Sequence, residues 1–482
     1  METIDSYGKE LAFQADRRKA CVELIKIVND LWFDKSIELI LFRNQLLDRN
    51  VSDIINLHEY AGKFVGKPIN AFDTVEIARA ISTSDLPPAR IDLGKLTYEY
   101  QAESDKYNDT LSFVLDKLKE AKNSPEIQPK DVVLYGFGRI GRLLARELMA
   151  KIGKGQQLRL KAIVTRDAND LESLEKRASL LMYDSVHSDF QGSVRVDVEN
   201  ESLIINGSPV RMITANQPED IDYTKYGIND ALIIDNTGVF KDEEALSRHL
   251  KAKGADKVLL TAPGKGVPNI VYGVNHEEYD VDTTKIWSAA SCTTNAITPV
   301  LAAIEETLGV QKGHLETIHA YTNDQNLVDN KHKKYRRGRA AALNMVITET
   351  GAGNAVAKAL PTLAGKLTSN AIRVPVPNGS LVVLNLEVNK ATSVEEINNI
   401  MKKYALEGKL VEQIKYSINN ELVSSDIVGT SAPAIYDSKA TIVSADGKNM
   451  VLYIWYDNEF GYSMQVVRLA KYIAKVRRYF YY

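Results

Sequence analysis

Val132-Val133-Leu134-Tyr135-Gly136-Phe137-Gly138-Arg139-Ile140-Gly141-Arg142-Leu143 is an apolar run feeding a Gly-x-Gly-x-x-Gly turn, with a helical pattern from Leu143 to Met149 behind it. A lone glycine triplet is a weak signal; one set between a strand and a helix is a strong one. In that setting Gly136 permits the tight turn, Gly138 lets the backbone approach a pyrophosphate, and Gly141 lets the helix pack on the strand. The helix start supplies free N–H groups and a positive dipole end for the phosphates. Phe137, Arg139 and Ile140 fill the same turn and join the candidate cofactor site. A carboxylate for the adenosine ribose is expected about 20 residues on. Asp167 closes the next strand-like run, AIVTRD, with Arg166 beside it, and a turn over 151–157 accounts for the delay.

Working outward, short β-rich runs follow at 158–164, 231–234, 257–260 and 270–274, mostly separated by helix-like or loop stretches. That alternation predicts a parallel sheet with crossovers. From about residue 313 the strands lengthen, as at 381–388 and 450–456, with single helices such as 394–405 between them. This second pattern predicts an α+β domain on a larger sheet.

Upstream, residues 1–125 read as an all-helical segment. From Arg17 to Leu47, the residues Cys21, Leu24, Ile25, Val28, Leu31 and Trp32 recur at three- and four-residue steps, one helical stripe. Ser52 is read as an N-cap, Pro87-Pro88 as a break, and the stretch from Tyr107 as a further helix. The apolar stripes, with Trp32, Phe33 and Phe42, require burial. The polar run Asn123–Lys130, with two prolines, is read as a linker.

The composition bounds the function. Sixty basic against sixty-three acidic residues give a net charge of -3, which argues against a nucleic-acid surface. No apolar run approaches the ~18 residues that cross a bilayer, and the acidic opening METIDSYGKELAF lacks the marks of a secretory signal. The expectation is a cytoplasmic protein with no membrane or nucleic-acid partner. The two cysteines, Cys21 and Cys292, form neither a metal-binding pattern nor a disulfide framework, so no metal is expected. Cys21 is read as a packing residue.

Ser291-Cys292-Thr293-Thr294-Asn295 precedes a helical face of Ile297, Val300, Leu301 and Ile304. At a helix start the dipole favours a thiolate and lowers the thiol pKa. These residues alone leave open whether Cys292 is structural or a nucleophile. His319, 27 residues on at the end of the run LETIHAYT, adds the partner that an activated thiol requires: an imidazole to take the proton and return it.

In order along 130–482 stand YGFGRIGR, YDSVHSDFQG, NTGVF, TAPGKG, GVNHEEYD, SAASCTTNA, HAYTNDQ, RRGRAAALN, TETGAG, RVPVPNGS and WYDNEFGYS. Together they resemble the phosphorylating glyceraldehyde-3-phosphate dehydrogenases; residues 1–125 have no counterpart in the ordinary form of that family. The resemblance implies a Rossmann dinucleotide-binding domain over 130–291, completed by a C-terminal helix over 461–482, and a catalytic domain over 292–460. It implies oxidation of D-glyceraldehyde 3-phosphate with NAD or NADP and inorganic phosphate to 1,3-bisphosphoglycerate, reversibly, in a homotetramer. Cys292 would attack the aldehyde and His319 would serve as base. Asn458 would hold the nicotinamide carboxamide with Tyr462 near the ring, and Thr237-Gly238 would lie on the cofactor. Thr322, Asp324 and Arg373 match the pocket for the substrate's phosphate; Thr350, Gly351 and Arg337 match that for inorganic phosphate; Ser291 and Thr293 flank the nucleophile.

Some positions depart from the family pattern. Ala296 replaces a second cysteine, Tyr135 an asparagine and Asn236 a serine; Asn330-Lys331 stands where NAD-preferring members usually have Leu-Pro. Lys331 and Arg166 would bring cations to the adenosine ribose, where Asp167 alone would favour NAD. Two rival functions remain: erythrose-4-phosphate dehydrogenase, against which the intact Thr350-Gly351 pair argues, and a binding protein that kept the fold without catalysis, against which Cys292, His319 and Asn458 argue.

Overall fold

The computed structural model describes residues 2–124, 127–153 and 156–482. The chain forms two compact units: Met1–Pro129 with Gly153–Gln157 and Val476–Tyr482, and Lys130–Ile152 with Leu158–Lys475.

The first unit is helix-rich, with helices at Glu2–Lys35, Val51–Val65, Ala71–Thr83, Leu93–Glu103 and Thr110–Lys117. It is not all-helical as the periodicity predicts. The helical stripe stops at Lys35, Ser36 takes a positive φ of 59°, and Glu38–Leu41 is a strand. Ile37, Leu39, Ile40 and Leu41 are all buried. A short continuous apolar run has no period that separates a strand covered on both faces from a helix. Glu38–Leu41 and Ala89–Asp92 pair in parallel, Asn44–Gln45 adds antiparallel at one edge, and Tyr479–Tyr481 adds in parallel at the other. The expected C-terminal helix over 461–482 is therefore corrected as well: it spans Phe460–Ile473, Lys475 turns with φ 56°, and the tail ends as that edge strand.

Asn50, not Ser52, caps the second helix: its side chain accepts from Asp53 N–H while the Asp53 carboxylate accepts from Asn50 N–H, satisfying two helix-start donors at once. Pro87-Pro88 does interrupt helix, between Thr83 and the strand at Ala89. Trp32 and Phe42 are buried, but Phe33 is 58% exposed. Cys21 is buried. Within the linker run 123–130, residues 125 and 126 lie outside the described residues, as do 154 and 155 within the turn at 151–157.

The second unit holds two eight-stranded sheets. In the first the order is Ile286–Ser288, Ala255–Leu260, Ala231–Asp235, Lys130–Tyr135, Leu158–Thr165, Ser208–Thr214, Ser202–Ile205 and Val194–Asp197. All pairings are parallel except those made by Ser202–Ile205. The order reverses at Lys130–Tyr135, so a crevice opens at that strand's carboxyl end, where ligands bind in sheets of this kind. Residues 270–274 are not the strand that their composition predicts. Ile286–Ser288 takes the edge place, and Asn275 Oδ1 ties the 270–274 loop by accepting from Val271 N–H at 2.8 Å.

The other sheet is mixed. Its long strands Val310–Ala320, Leu367–Val374, Ser380–Val388 and Asn449–Tyr456 form the middle. Helix Cys292–Thr307 packs on Asn449–Tyr456 and Ala434–Asp437 through Ala296, Ile297, Val300, Leu301 and Ile304, all fully buried. Ala296 thus fills a core position that needs no thiol.

Candidate active site

Two elements meet at the chemistry. Ser291 caps the helix that begins at Cys292, its side chain accepting from Thr294 N–H. This fixes Cys292 at the helix start. His319 comes from the end of strand Val310–Ala320. Cys292 Sγ lies 3.6 Å from His319 Nε2, so the pair that the sequence could only propose is in contact.

The tautomer of His319 follows from its other nitrogen. Nδ1 lies 2.6 Å from the Ala320 carbonyl and 2.9 Å from Arg373 Nη1. A carbonyl only accepts and a guanidinium only donates. Arg373 Nη1 has its own bond to Ala320 O at 2.9 Å. Nδ1 therefore carries the proton and donates to Ala320 O, which leaves the Nε2 lone pair facing the thiol. Burial, and then the Arg373 guanidinium, hold the imidazole far below its ordinary value, down to about 3. It is neutral and able to accept a proton.

The thiol departs from the sequence expectation. Burial pushes the Cys292 thiol above its ordinary value and outweighs Arg373, Thr293 and the helix-start N–H groups, which pull it down. Cys292 accordingly rests as a thiol, with His319 Nε2 in contact with its sulfur. Thr293 is turned inward, its hydroxyl 3.0 Å from Tyr456 OH.

A cavity of about 790 Å³ runs from the glycine turn to this pair. Of the expected site residues, Gly138, Arg139, Ile140, Ser291, Cys292, His319, Thr322, Arg373, Asn458 and Tyr462 line it. The glycines behave as their roles require. Gly136 has φ 98°, and a Cβ there would lie 3.0 Å from Thr237 Cγ2; a Cβ at Gly141 would lie 2.5 Å from Gly136 O. A Cβ at Gly138 would meet nothing within 4 Å, which leaves that side of its backbone open to a ligand. Phe137 contributes its carbonyl, which accepts from Arg142 Nη1 at 3.2 Å. Thr237 is held from below: Asp235 Oδ1 accepts from its N–H at 2.8 Å and its hydroxyl at 2.7 Å. Gly238 turns away with φ 66°.

Other expected residues stand apart from the cavity wall. Asp167 lies beyond the strand end at Thr165, its side chain 87% exposed and 3.8 Å from Arg177. Asp324 forms an ion pair with Arg337, which joins the two expected phosphate sets. Arg337 also donates to Thr348 Oγ1 at 3.0 Å. Thr350 Oγ1 accepts from Ala352 N–H at 3.3 Å, and Gly351 caps the helix Ala352–Ala359.

Sequence reasoning missed a charged cluster. Arg139 grips Glu459 with two hydrogen bonds, Nε–Oε1 at 2.5 Å and Nη2–Oε2 at 2.6 Å, and reaches Asp184 at 3.2 Å. His187 Nε2 lies 2.9 Å from Glu459 Oε2. The glycine turn, the 183–192 motif and the Asn458 turn are thereby clamped together. Thr261, Pro263, Tyr321 and Asn323 also line the cavity. The strings YDSVHSDFQG and NEFGYS were the available signal, but a string does not show which charges pair. Among the described residues, no group of three or more His, Cys, Asp or Glu could hold a metal ion.

A mostly parallel sheet with a Gly-x-Gly-x-x-Gly turn at its switch point, opening onto a cysteine in contact with a histidine, is the frame of an NAD(P)-dependent oxidoreductase. The family model described as "Glyceraldehyde 3-phosphate dehydrogenase, NAD binding domain" matches residues 130–243, and "Glyceraldehyde 3-phosphate dehydrogenase, C-terminal domain" matches 291–458. The chain is 47% identical over 458 residues to a glyceraldehyde-3-phosphate dehydrogenase-like protein of Pseudomonas aeruginosa, covering 94% of this chain and 98% of that one. It is 41% identical to glyceraldehyde-3-phosphate dehydrogenase 2 of Trichormus variabilis, over 71% of this chain and 98% of the relative. With glyceraldehyde-3-phosphate dehydrogenase of Clostridium pasteurianum it shares 40%, over 72% of this chain and 99% of the relative. The chain belongs to the glyceraldehyde-3-phosphate dehydrogenase family.

Proposed function

We propose that this enzyme oxidises D-glyceraldehyde 3-phosphate with inorganic phosphate to 1,3-bisphosphoglycerate, reversibly. The observation that carries the reading is the Cys292–His319 contact at 3.6 Å on the wall of a cavity that also holds Arg373 and the glycine turn. The open backbone at Gly138 and the space-limited Gly136 and Gly141 fit a dinucleotide pyrophosphate. When bound, the nicotinamide accepts hydride. Asn458 and Tyr462 would hold that ring end.

Cys292 Sγ attacks the aldehyde carbon as His319 Nε2 takes the thiol proton and passes it to the carbonyl oxygen, which gives the thiohemiacetal hydroxyl and leaves the imidazole neutral again. The thiohemiacetal hydroxyl then gives its proton to the same base as hydride leaves, and a thioester remains on Cys292. Phosphate oxygen attacks the thioester carbon, the carbon–sulfur bond breaks, and Cys292 recovers its proton. Arg373 with Thr322 and Arg337 with Thr350-Gly351 are the proposed anion pockets, with Asp324 orienting Arg337; a planar guanidinium bonds phosphate oxygens at fixed geometry. Sustained turnover on glyceraldehyde 3-phosphate should require added phosphate; equal rates without it would contradict the reading.

Both NAD and NADP are proposed as cofactors. Asp167 favours NAD, since it would accept from the ribose 2′-OH and repel a 2′-phosphate. Arg166 and Lys331 are both exposed and not committed to a carboxylate by any ion pair described among these residues. An exposed ion pair contributes about 0.2–1 kcal/mol and a charge-assisted hydrogen bond about 1.5–3, so two cations roughly offset the Asp167 penalty. The kcat/KM ratio for the two cofactors should lie within about a thousandfold and move toward NAD in Lys331→Pro. An unchanged ratio in that variant would show that Lys331 points away from the ribose.

A homotetramer is proposed for the same chain, located in the cytoplasm. The 322–347 segment leaves Leu327, Val328, Tyr335, Leu343 and Met345 between 69% and 93% exposed, a cost to a monomer that a subunit interface removes. Light scattering at micromolar concentration should give four chains, and a monomer would refute the proposal. Among the described residues no helix is long and apolar enough to cross a membrane.

A further inference from the structure

The backbone around Asn458 is pinned on all sides. Asp457 Oδ1 accepts from Asn378 Nδ2 at 2.9 Å, from Glu459 N–H at 2.9 Å and from Phe460 N–H at 2.8 Å. Asp457 Oδ2 accepts from Gly429 N–H at 2.8 Å. What this leaves undecided is the rotation of the Asn458 amide about its last bond. Two orientations half a turn apart would present either an acceptor or a donor to the cavity.

Ser380 decides between them. It is fully buried and stands opposite Tyr456 in the strand register. Its Oγ accepts from Ala320 N–H at 3.0 Å and donates to Asn458 Oδ1 at 2.8 Å. Ala320 directly follows His319, and its carbonyl accepts from His319 Nδ1. One hydroxyl thus joins the peptide beside the base to the amide on the cavity wall.

We propose that Ser380 is a positioning residue for the nicotinamide end of the cofactor: it fixes the Asn458 oxygen inward and turns Nδ2 to the cavity, where a donor faces a carboxamide oxygen. The inference rests on the reading of Asn458 as the residue that holds the carboxamide. Without Ser380 the amide samples both orientations, and one of them sets oxygen against oxygen. The effect is confined to the nicotinamide end, because the glycine turn is built without Ser380.

The test is calorimetric titration of the full chain with NAD and with ADP-ribose, which lacks nicotinamide. Ser380→Ala should weaken NAD about tenfold, the worth of one buried hydrogen bond, and leave ADP-ribose within about twofold. Ser380→Cys, close in shape and a weaker donor, should show a smaller loss confined to NAD, and it carries the test if the alanine variant does not fold. Equal losses for both ligands, or no loss for either, would overturn the proposal. Asn458→Ala separates the two layers. If it narrows the gap between NAD and ADP-ribose while Ser380→Ala does not, Ser380 is wrong and the reading of Asn458 stands. If Asn458→Ala leaves the gap unchanged, the reading of Asn458 has failed.

Discussion

Cys292→Ala should lower dehydrogenase turnover by roughly 10⁴-fold or more, to background, because no other thiol lines the cavity. Cys21, the second thiol, is buried in the other compact unit. His319→Asn should behave differently. The thiol remains, and water or hydroxide can take its proton slowly. General acid–base groups contribute about 10²–10⁴-fold, so a measurable remnant should survive, rising with pH as the thiolate forms without help. The direction follows from the site: burial holds the Cys292 thiol above its ordinary value, and only the base makes attack efficient near neutrality. Steady-state rates from pH 7 to 10 check this. Near-normal turnover in Cys292→Ala would end the mechanism, and a flat pH profile in His319→Asn would show that His319 is not the base.

Arg373→Ala carries the second large effect, and it acts twice. Arg373 lines the cavity and aims at the proposed substrate phosphate. Each charge-assisted hydrogen bond is worth about 1.5–3 kcal/mol, so losing two lowers kcat/KM on the order of 10²–10⁴-fold. The loss should be smaller on glyceraldehyde, which has no phosphate to bind. The second action is on His319. Burial is the larger cause of its low pKa and Arg373 the next. Removing the cation raises the imidazole pKa toward its ordinary value, and a base works only when neutral. The acid limb of the pH–rate profile should therefore move to higher pH in Arg373→Ala. Equal losses on the two aldehydes, with an unmoved acid limb, would remove Arg373 from the site.

The glycine turn and the middle of its sheet were legible because Lys130–Tyr135, Leu158–Thr165, Ala231–Asp235 and Ala255–Leu260 are short apolar runs closed by turn residues, whereas the strands outside them, Ile286–Ser288 and those within 194–214, carry no such pattern. Cys292 and His319 were legible as a pair only through chemistry: nothing in their spacing brings them to 3.6 Å, which is the work of the helix start and the strand end. The clamp of Arg139 on Glu459 was invisible, because its members lie in distant motifs and each alone reads as an ordinary surface charge. The strand Glu38–Leu41 was hidden by its own burial, since a run covered on both faces shows no alternation. The tail strand was hidden by distance, as Tyr479 pairs with Ala89 at the far end of the chain. Thiol acidity ran against the helix-start argument because dipole stabilisation at an exposed end is at most about 1 kcal/mol, and burial of the sulfur outweighs it here.

The covalent thioester on Cys292 is the centre of the account, and rapid mixing with NAD and glyceraldehyde 3-phosphate in phosphate-free buffer tests it most directly. The expected result is a burst of NADH equal to about one per active site, the stoichiometry of acyl-enzyme accumulation, with the acyl group found on Cys292 by mass spectrometry and released as an acyl phosphate when phosphate is added. Sustained NADH formation without phosphate, or a burst with no acyl group on Cys292, would contradict it.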